Sequence, residues 1–135
     1  MGNRAIITTR ENYKNDGAGI YLHWNGGRDS VEAFLTYCRK KGYRDPVSDD
    51  EYALARLVQV VANFFGGTTS VGIVNARCMA GDDNGVYIVG KNWEIVGREE
   101  IGNGFNEQDV YPLEEMLKEI DSRMPESERI LEGSD

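Results

Sequence analysis

The residues best suited to binding chemistry lie in one short stretch, 21–30, which reads Tyr-Leu-His-Trp-Asn-Gly-Gly-Arg-Asp-Ser. A strand pattern runs through Asn-Gly-Gly directly into a helix pattern. Such a junction points backbone N–H groups and the positive end of a helix dipole at one place, where an anion such as phosphate can bind. A tight strand-to-helix turn also explains the glycines without any ligand. The predicted ligand-binding residues are Tyr21, His23, Asn25, Gly26, Gly27, Arg28 and Ser30.

No pattern in the chain predicts a catalytic centre. His23 is the only histidine, so a Ser–His or Cys–His pair would have to use it, and no Gly-x-Ser-x-Gly motif is present. One histidine and two dispersed cysteines do not make a zinc site, and Asp82-Asp83-Asn84-Gly85 lacks the alternating ligands of a calcium loop. We therefore predict no catalytic residue, no metal and no cofactor, and a non-enzymatic protein is favoured.

Negative charge is concentrated in the last third of the chain. Residues 94–135 hold four Lys and Arg against thirteen Asp and Glu, a net charge of −9, whereas the whole protein carries −8. Phosphate backbones repel such a block, which suits a basic protein partner or ordinary solvation instead. Its predicted helix has Glu114, Glu115, Glu119 and Asp121 on its outer face. These four residues are the predicted acidic partner surface.

Length and composition predict one domain in the cytoplasm. The chain has 135 residues, of which 1–124 are predicted to form a single domain and 125–135 an acidic, flexible tail. The longest apolar stretch, 57–65, is too short to cross a membrane, and the N-terminus lacks the pattern of a signal peptide. Cys38 and Cys78 are expected to be reduced thiols, with Cys38 in the core.

Hydrophobic periodicity and capping signals predict an α+β fold in the order β-β-α-α-β-β-β-α. Strands are predicted at 5–9, 20–24, 70–77, 85–89 and 93–98, with a polar loop at 10–17. The first helix is predicted to begin with Asp29 as its N-cap and Glu32 completing a capping box, and the second to begin with a capping box at 48–51. The third is predicted from Pro112 to Met124. We expect a mostly antiparallel sheet of about five strands with three helices packed on one face.

Four segments carry a resemblance to a known group of proteins. They are Gly19-Ile20-Tyr21-Leu22-His23-Trp24-Asn25-Gly26-Gly27, Ser30-Val31-Glu32-Ala33-Phe34-Leu35, Val61-Ala62-Asn63-Phe64-Phe65-Gly66-Gly67 and Asn84-Gly85-Val86-Tyr87-Ile88. The chain up to about residue 104 resembles small uncharacterised acidic proteins encoded on phages and conjugative elements of gut Firmicutes. The resemblance implies a context, that of accessory or counter-defence factors, and no site residues.

Three hypotheses for function follow. The first is a counter-defence inhibitor of the anti-CRISPR or anti-restriction type, whose acidic surface occludes the basic nucleic-acid channel of a host nuclease. The first alternative is a small-molecule binder that sequesters a nucleotide second messenger with the turn from His23 to Ser30. The second is a small enzyme that depends on His23. Direct nucleic-acid and membrane binding are not expected, and the oligomeric state is left open.

Overall fold

The elements follow the hydrophobic pattern closely, with one additional helix. The computed structural model describes residues 2–81, 83–101, 104, 105, 107 and 111–131. The strands and helices are, in chain order, β1 (Ala5–Thr9), α1 (Arg10–Lys14), β2 (Ala18–Leu22), α2 (Arg28–Lys40), α3 (Asp50–Phe65), β3 (Val71–Asn75), β4 (Val86–Val89), β5 (Ile95–Glu99) and α4 (Leu113–Ser122). Short 3-10 turns lie at Met79–Gly81, Lys91–Trp93 and Glu126–Glu128.

The five strands form one mixed sheet in the order β3-β2-β1-β4-β5. Three of its four pairings are antiparallel, as predicted, but the central pair β1 and β4 is parallel, with Thr9 opposite Val89. The chain between β1 and β4 contains α1, β2, α2, α3 and β3. This long connection brings the chain back to the end of the sheet where β1 begins, and β4 starts there and runs parallel to β1. The α+β class is confirmed, and the sheet is mixed.

The number of helices was predicted wrongly, because α1 lies in the predicted polar loop. Thr9 caps this short helix, and its hydroxyl accepts a hydrogen bond from the backbone N–H of Asn12 at 3.2 Å. None of the five residues of α1 is fully buried. The apolar periodicity used to predict helices therefore could not find it.

The caps of α2 and α3 also differ from the prediction. Helix α2 begins at Arg28 after Gly27, which makes no side-chain capping bond, so Asp29 is not the N-cap. Helix α3 is capped by Asp49, whose carboxylate accepts from the N–H of Tyr52 at 3.2 Å, one residue later than Ser48. Both shifts lie within the usual uncertainty of helix ends.

The main core lies between the sheet and helices α2, α3 and α4. The apolar stripe of α2 is fully buried there, including Phe34 and Cys38, so Cys38 is a core thiol as predicted. Burial raises the pKa of that thiol far above its usual value, which makes it unreactive. A smaller cluster formed by Ile6, Val86 and Ile101 lies apart from this core. No helix in the described part of the chain is long and apolar enough to span a bilayer.

Candidate functional site

The Asn-Gly-Gly turn is bonded directly to the beginning of β1. The N–H of Asn3 donates to the carbonyl of His23 at 2.9 Å, and the N–H of Gly26 donates back to the carbonyl of Asn3 at 2.8 Å. The Tyr87 hydroxyl donates to the carbonyl of Gly26 at 2.7 Å. A Cβ at position 26 would lie 2.5 Å from the Asn3 carbonyl oxygen, so only glycine permits this approach. The close packing of the turn against the segment before β1 therefore explains the glycine at position 26 without a ligand.

The side chains of the predicted ligand-binding residues bond to one another or to their neighbours. The Tyr21 hydroxyl lies 2.7 Å from Nδ1 of His23, and the amide of Asn25 donates to the hydroxyl of the buried Ser30 at 3.2 Å. The exposed guanidinium of Arg28 forms an ion pair with Glu32, one turn along α2, at 2.7 Å. The structure therefore brings the predicted residues together in one turn, where they stabilise the local conformation.

A carboxylate from a distant part of the chain lies at the N-terminus of α2. Oε1 of Glu107 accepts from the backbone N–H of Arg28 at 3.3 Å and from Nη1 of Arg98 at 2.7 Å. Anions are stabilised at a helix N-terminus by the free N–H groups and the dipole. The helix N-terminus that predicted a phosphate site thus holds the protein's own carboxylate.

Arg98 holds this carboxylate from a nearly enclosed position. Its side chain is 10% exposed, and its guanidinium carbon lies 4.4 Å from the centre of the Tyr87 ring and 3.8 Å from that of Phe105. Its Nε donates to the carbonyl of Asn84 at 3.3 Å. Two rings and two acceptors fix this cation beside Glu107, so the pair connects β5 to the beginning of α2.

A groove between α3, α4 and the turn combines parts of both predicted site sets. It has a volume of about 530 Å³. Its lining residues are Trp24, Asn25, Phe64, Phe65, Tyr111, Glu115, Met116, Glu119 and Arg123, and we call it the acidic–aromatic groove. Trp24 is 45% exposed and Tyr111 43% exposed, which is high for such large rings. Aromatic side chains that are both exposed and grouped around a concave surface are typical of a binding site.

The charged side chains of the groove already show how it accommodates a cation. The guanidinium of Arg123 lies 4.5 Å from the centre of the Phe64 ring and donates to the Phe64 carbonyl at 2.6 Å. Its Nε is 3.7 Å from a carboxylate oxygen of Glu119. An aromatic face, a carbonyl and a carboxylate therefore surround one guanidinium at this edge of the groove, and Glu115 lies on the same helix one turn earlier.

Three of the four residues of the predicted acidic surface are exposed on α4, namely Glu114, Glu115 and Glu119. The placement of Asp121 on that surface was wrong, because its side chain is fully buried. It accepts hydrogen bonds from the Tyr37 hydroxyl and from the backbone N–H groups of Ile130 and Leu131, at 2.9 Å and 3.0 Å for the two amides. Asp121 therefore connects α2, α4 and residues 130 and 131 of the predicted tail, whereas residues 132–135 lie outside the described residues.

No protein-family model, curated protein or solved structure matches this chain. Within the described ranges, no group of three or more His, Cys, Asp or Glu side chains could hold a metal ion.

Sequence reasoning missed most of the aromatic residues that line the groove. Phe65 is the last residue of α3 and is partly buried, and Tyr111 lies directly before the predicted helix start at Pro112. The alternation of the predicted strand 20–24 puts Trp24 on the same face as Ile20 and Leu22, which are buried, but β2 ends at Leu22 and Trp24 lies exposed beyond it. The signal that could have found them is the presence of large rings at the ends of helices and strands or within two residues of those ends, where burial is incomplete.

Asp50, at the end of the sheet opposite the acidic–aromatic groove, has a carboxyl group whose pKa is shifted. Asp50 is the first residue of α3, and its Oδ2 accepts from the Thr9 hydroxyl at 3.1 Å. Its Oδ1 is buried and accepts no hydrogen bond from the described residues. Burial raises the pKa of Asp50, and the nearby carboxylates of Glu51, Glu11 and Asp49 raise it further, against the lowering effect of the Thr9 bond.

We expect Asp50→Asn to be more stable than the wild type at neutral pH. A carboxyl group whose pKa is higher in the folded state binds more protons there than in the unfolded chain. Its ionisation therefore lowers stability as the pH rises from the unfolded pKa to the folded one. The variant has no such group, so its free energy of unfolding relative to wild type should increase as the pH rises above the usual Asp pKa of about 3.9, as measured by urea unfolding. An advantage that shrinks with rising pH would contradict this assignment.

Proposed function

We propose that this protein is a non-enzymatic inhibitor that binds a basic, arginine-rich surface of a partner protein in the acidic–aromatic groove. By covering that surface it would occlude the partner's nucleic-acid channel, as a counter-defence protein of a mobile element does. The observation that carries the proposal is the grouping of the exposed rings of Trp24 and Tyr111 with the carboxylates of Glu115 and Glu119 around one groove.

The chemistry of the groove favours a guanidinium over other groups. Arginine stacks on aromatic faces and donates two parallel hydrogen bonds to a carboxylate, so rings and carboxylates together recognise it more strongly than either does alone. Arg123 already makes part of this set of contacts with Phe64 and Glu119. A second guanidinium, from a partner, would find a ring in Trp24 and a carboxylate in Glu115, which line the same groove.

The charge of the surrounding surface supports the same class of partner. Glu114, Glu115 and Glu119 are exposed on one helix, and the last 42 residues carry a net charge of −9. This potential attracts a basic protein surface and speeds its association, while it repels nucleic acid. An acidic protein that binds where a phosphate backbone would bind acts as a competitor of the nucleic acid.

Binding of a fluorescent octa-arginine peptide tests the groove. The variant Glu114→Lys/Glu115→Lys/Glu119→Lys is compared with Glu94→Lys/Glu99→Lys/Glu100→Lys, whose three glutamates are exposed on and around β5. Each triple variant changes the charge by +6, so both have a formal net charge of −2 instead of −8. We expect the α4 variant to lose at least about tenfold in affinity and the β5 variant to lose much less.

The aromatic part of the groove needs its own variant, because charge alone would attract the peptide. Trp24→Ala leaves every charge in place and should weaken binding by about 10- to 30-fold. Affinity should also fall as NaCl is raised from about 50 to about 500 mM, since exposed charges are screened. Equal losses in the two triple variants, or full affinity in Trp24→Ala, would mean that the groove is not the binding site.

Occlusion is tested by competition. A labelled duplex DNA is first bound to the octa-arginine peptide, and the protein is then added. Wild type should release the DNA at concentrations near its Kd for the peptide, and the α4 triple variant should not. If the protein bound the peptide and left the DNA in place, the occlusion mechanism would be wrong although the groove would still bind arginine.

A further inference from the structure

We propose that a second cavity, at the opposite end of the sheet, is a binding site for a small organic cation with an apolar body. The parallel strands β1 and β4 end side by side there, with Thr9 opposite Val89. A cavity of about 580 Å³ lies between these strand ends, the beginning of α3 and β5. Its volume is in the range of small-molecule sites. It shares no lining residue with the acidic–aromatic groove, so the two proposals stand independently.

The walls of the cavity are mainly apolar. Val47 is 70% exposed and Val96 48% exposed, and both face the opening together with the buried Val89 and Pro46. Three valines and a proline at the mouth of one cavity present an apolar surface, whose exposure to water is unfavourable in free energy. A ring or a short hydrocarbon chain fits this surface.

Asp50 provides the charged group of the site. It lines the cavity, and among the described residues only one of its two carboxylate oxygens has a hydrogen-bond donor, the Thr9 hydroxyl at 3.1 Å. A buried carboxylate oxygen without a donor is unfavourable. The carboxylates of Glu11, Glu51 and Asp49 make the local potential more negative. An ammonium or amidinium group supplies the missing donor together with a positive charge.

The two cations that line the cavity do not fill this role. Nη2 of Arg10 donates to the carbonyl of Val96 at 3.3 Å, which holds its guanidinium on the β5 wall. Lys91 is exposed in the connection between β4 and β5. Asp50 is therefore the charged side chain of the cavity whose hydrogen bonding is incomplete. Because it is a carboxylate, we expect the ligand to carry a positive charge.

Three probes with the same ring but different charge test which charge the cavity prefers: benzylamine, benzyl alcohol and benzoate. Each is titrated into the full chain at about pH 7, where benzylamine is cationic, and backbone amide shifts are followed by NMR. We expect benzylamine to give saturable shifts at Val89, Gly90 and Val96, with an affinity at least about tenfold higher than that of the other two.

Two variants and one control locate the binding. Asp50→Asn should weaken benzylamine at least about tenfold and abolish the preference for the cation, while Glu51→Gln, which removes the same charge from an exposed neighbour, should bind nearly as wild type. Val47→Trp, at an exposed wall position, should block all three probes, and it locates the binding independently of any change at Asp50. The absence of saturable shifts, tighter binding of benzoate, or full affinity in Asp50→Asn would overturn the proposal.

Discussion

Replacing Asp121 with alanine is expected to lower the free energy of unfolding by about 2–4 kcal/mol. The carboxylate is fully buried and accepts hydrogen bonds from the Tyr37 hydroxyl and from the N–H groups of Ile130 and Leu131. Alanine removes all of these acceptors at once, leaves the buried Tyr37 hydroxyl without this acceptor, and creates a cavity. The measurement is urea unfolding followed by circular dichroism at neutral pH.

Two further variants separate hydrogen bonding from the general effect of losing a charge. Glu119→Ala changes an exposed carboxylate on the same helix and should cost less than about 1 kcal/mol, since its ion pair with Arg123 is exposed. Tyr37→Phe removes only the hydroxyl partner. Because both residues belong to one bond, the double variant with Asp121→Ala should cost less than the sum of the two single changes. A loss below about 1 kcal/mol in Asp121→Ala would refute its structural role.

Asn84→Ala is expected to cost about 2–3 kcal/mol, because a fully buried amide is removed from the beginning of β4. Nδ2 of Asn84 donates to Oδ1 of Asn3 at 2.6 Å and to the carbonyl of Arg4 at 3.1 Å. Its Oδ1 accepts from the N–H of Glu107 at 2.7 Å. One side chain thus joins the segments that precede β1 and β4 to the residue whose carboxylate lies at the N-terminus of α2.

Asn63→Ala is the matched control for this change. Asn63 is exposed on α3, where its amide donates to the carbonyl of Gln59 one turn earlier. The same chemical substitution there should change stability by no more than about 0.5 kcal/mol. In Asn84→Ala, the amide signals of Arg28 and Glu107 should also shift in NMR spectra. Similar stabilities for the two variants would show that the buried amide does not hold the strands together.

Local patterns were sufficient to place most of the helices and strands. Helix α2 carries Val31, Phe34, Leu35 and Cys38 at helical spacing, and all four are buried. The spacing of apolar residues within one element is a property of that element alone, so it can be read without its neighbours. The short α1 was missed because capping by Thr9, and not burial, stabilises it.

The placement of Asp121 could have been derived from the same rule. It follows Leu117 by four residues and precedes Met124 by three, so it lies on the apolar face of α4. Its charge favoured the outer face, since unpaired carboxylates are seldom buried. The donors that make burial tolerable come from Tyr37 and from residues 130 and 131, and nothing in the sequence of α4 shows that they are near.

Local patterns of residues were enough to predict the α+β class, the amphipathic faces of the long helices, the tight turn before α2 and the exposure of the glutamates on α4. The folded chain was needed to show that β1 pairs in parallel with β4, that Glu107 occupies the N-terminus of α2, and that Trp24 and Glu119 line one groove. Periodicity and capping are local and act within a few residues. These three features join residues 79 or more positions apart, and they depend on how the whole core packs. The Asn-Gly-Gly turn is accordingly a structural junction, and the function that we propose belongs to the groove beside it.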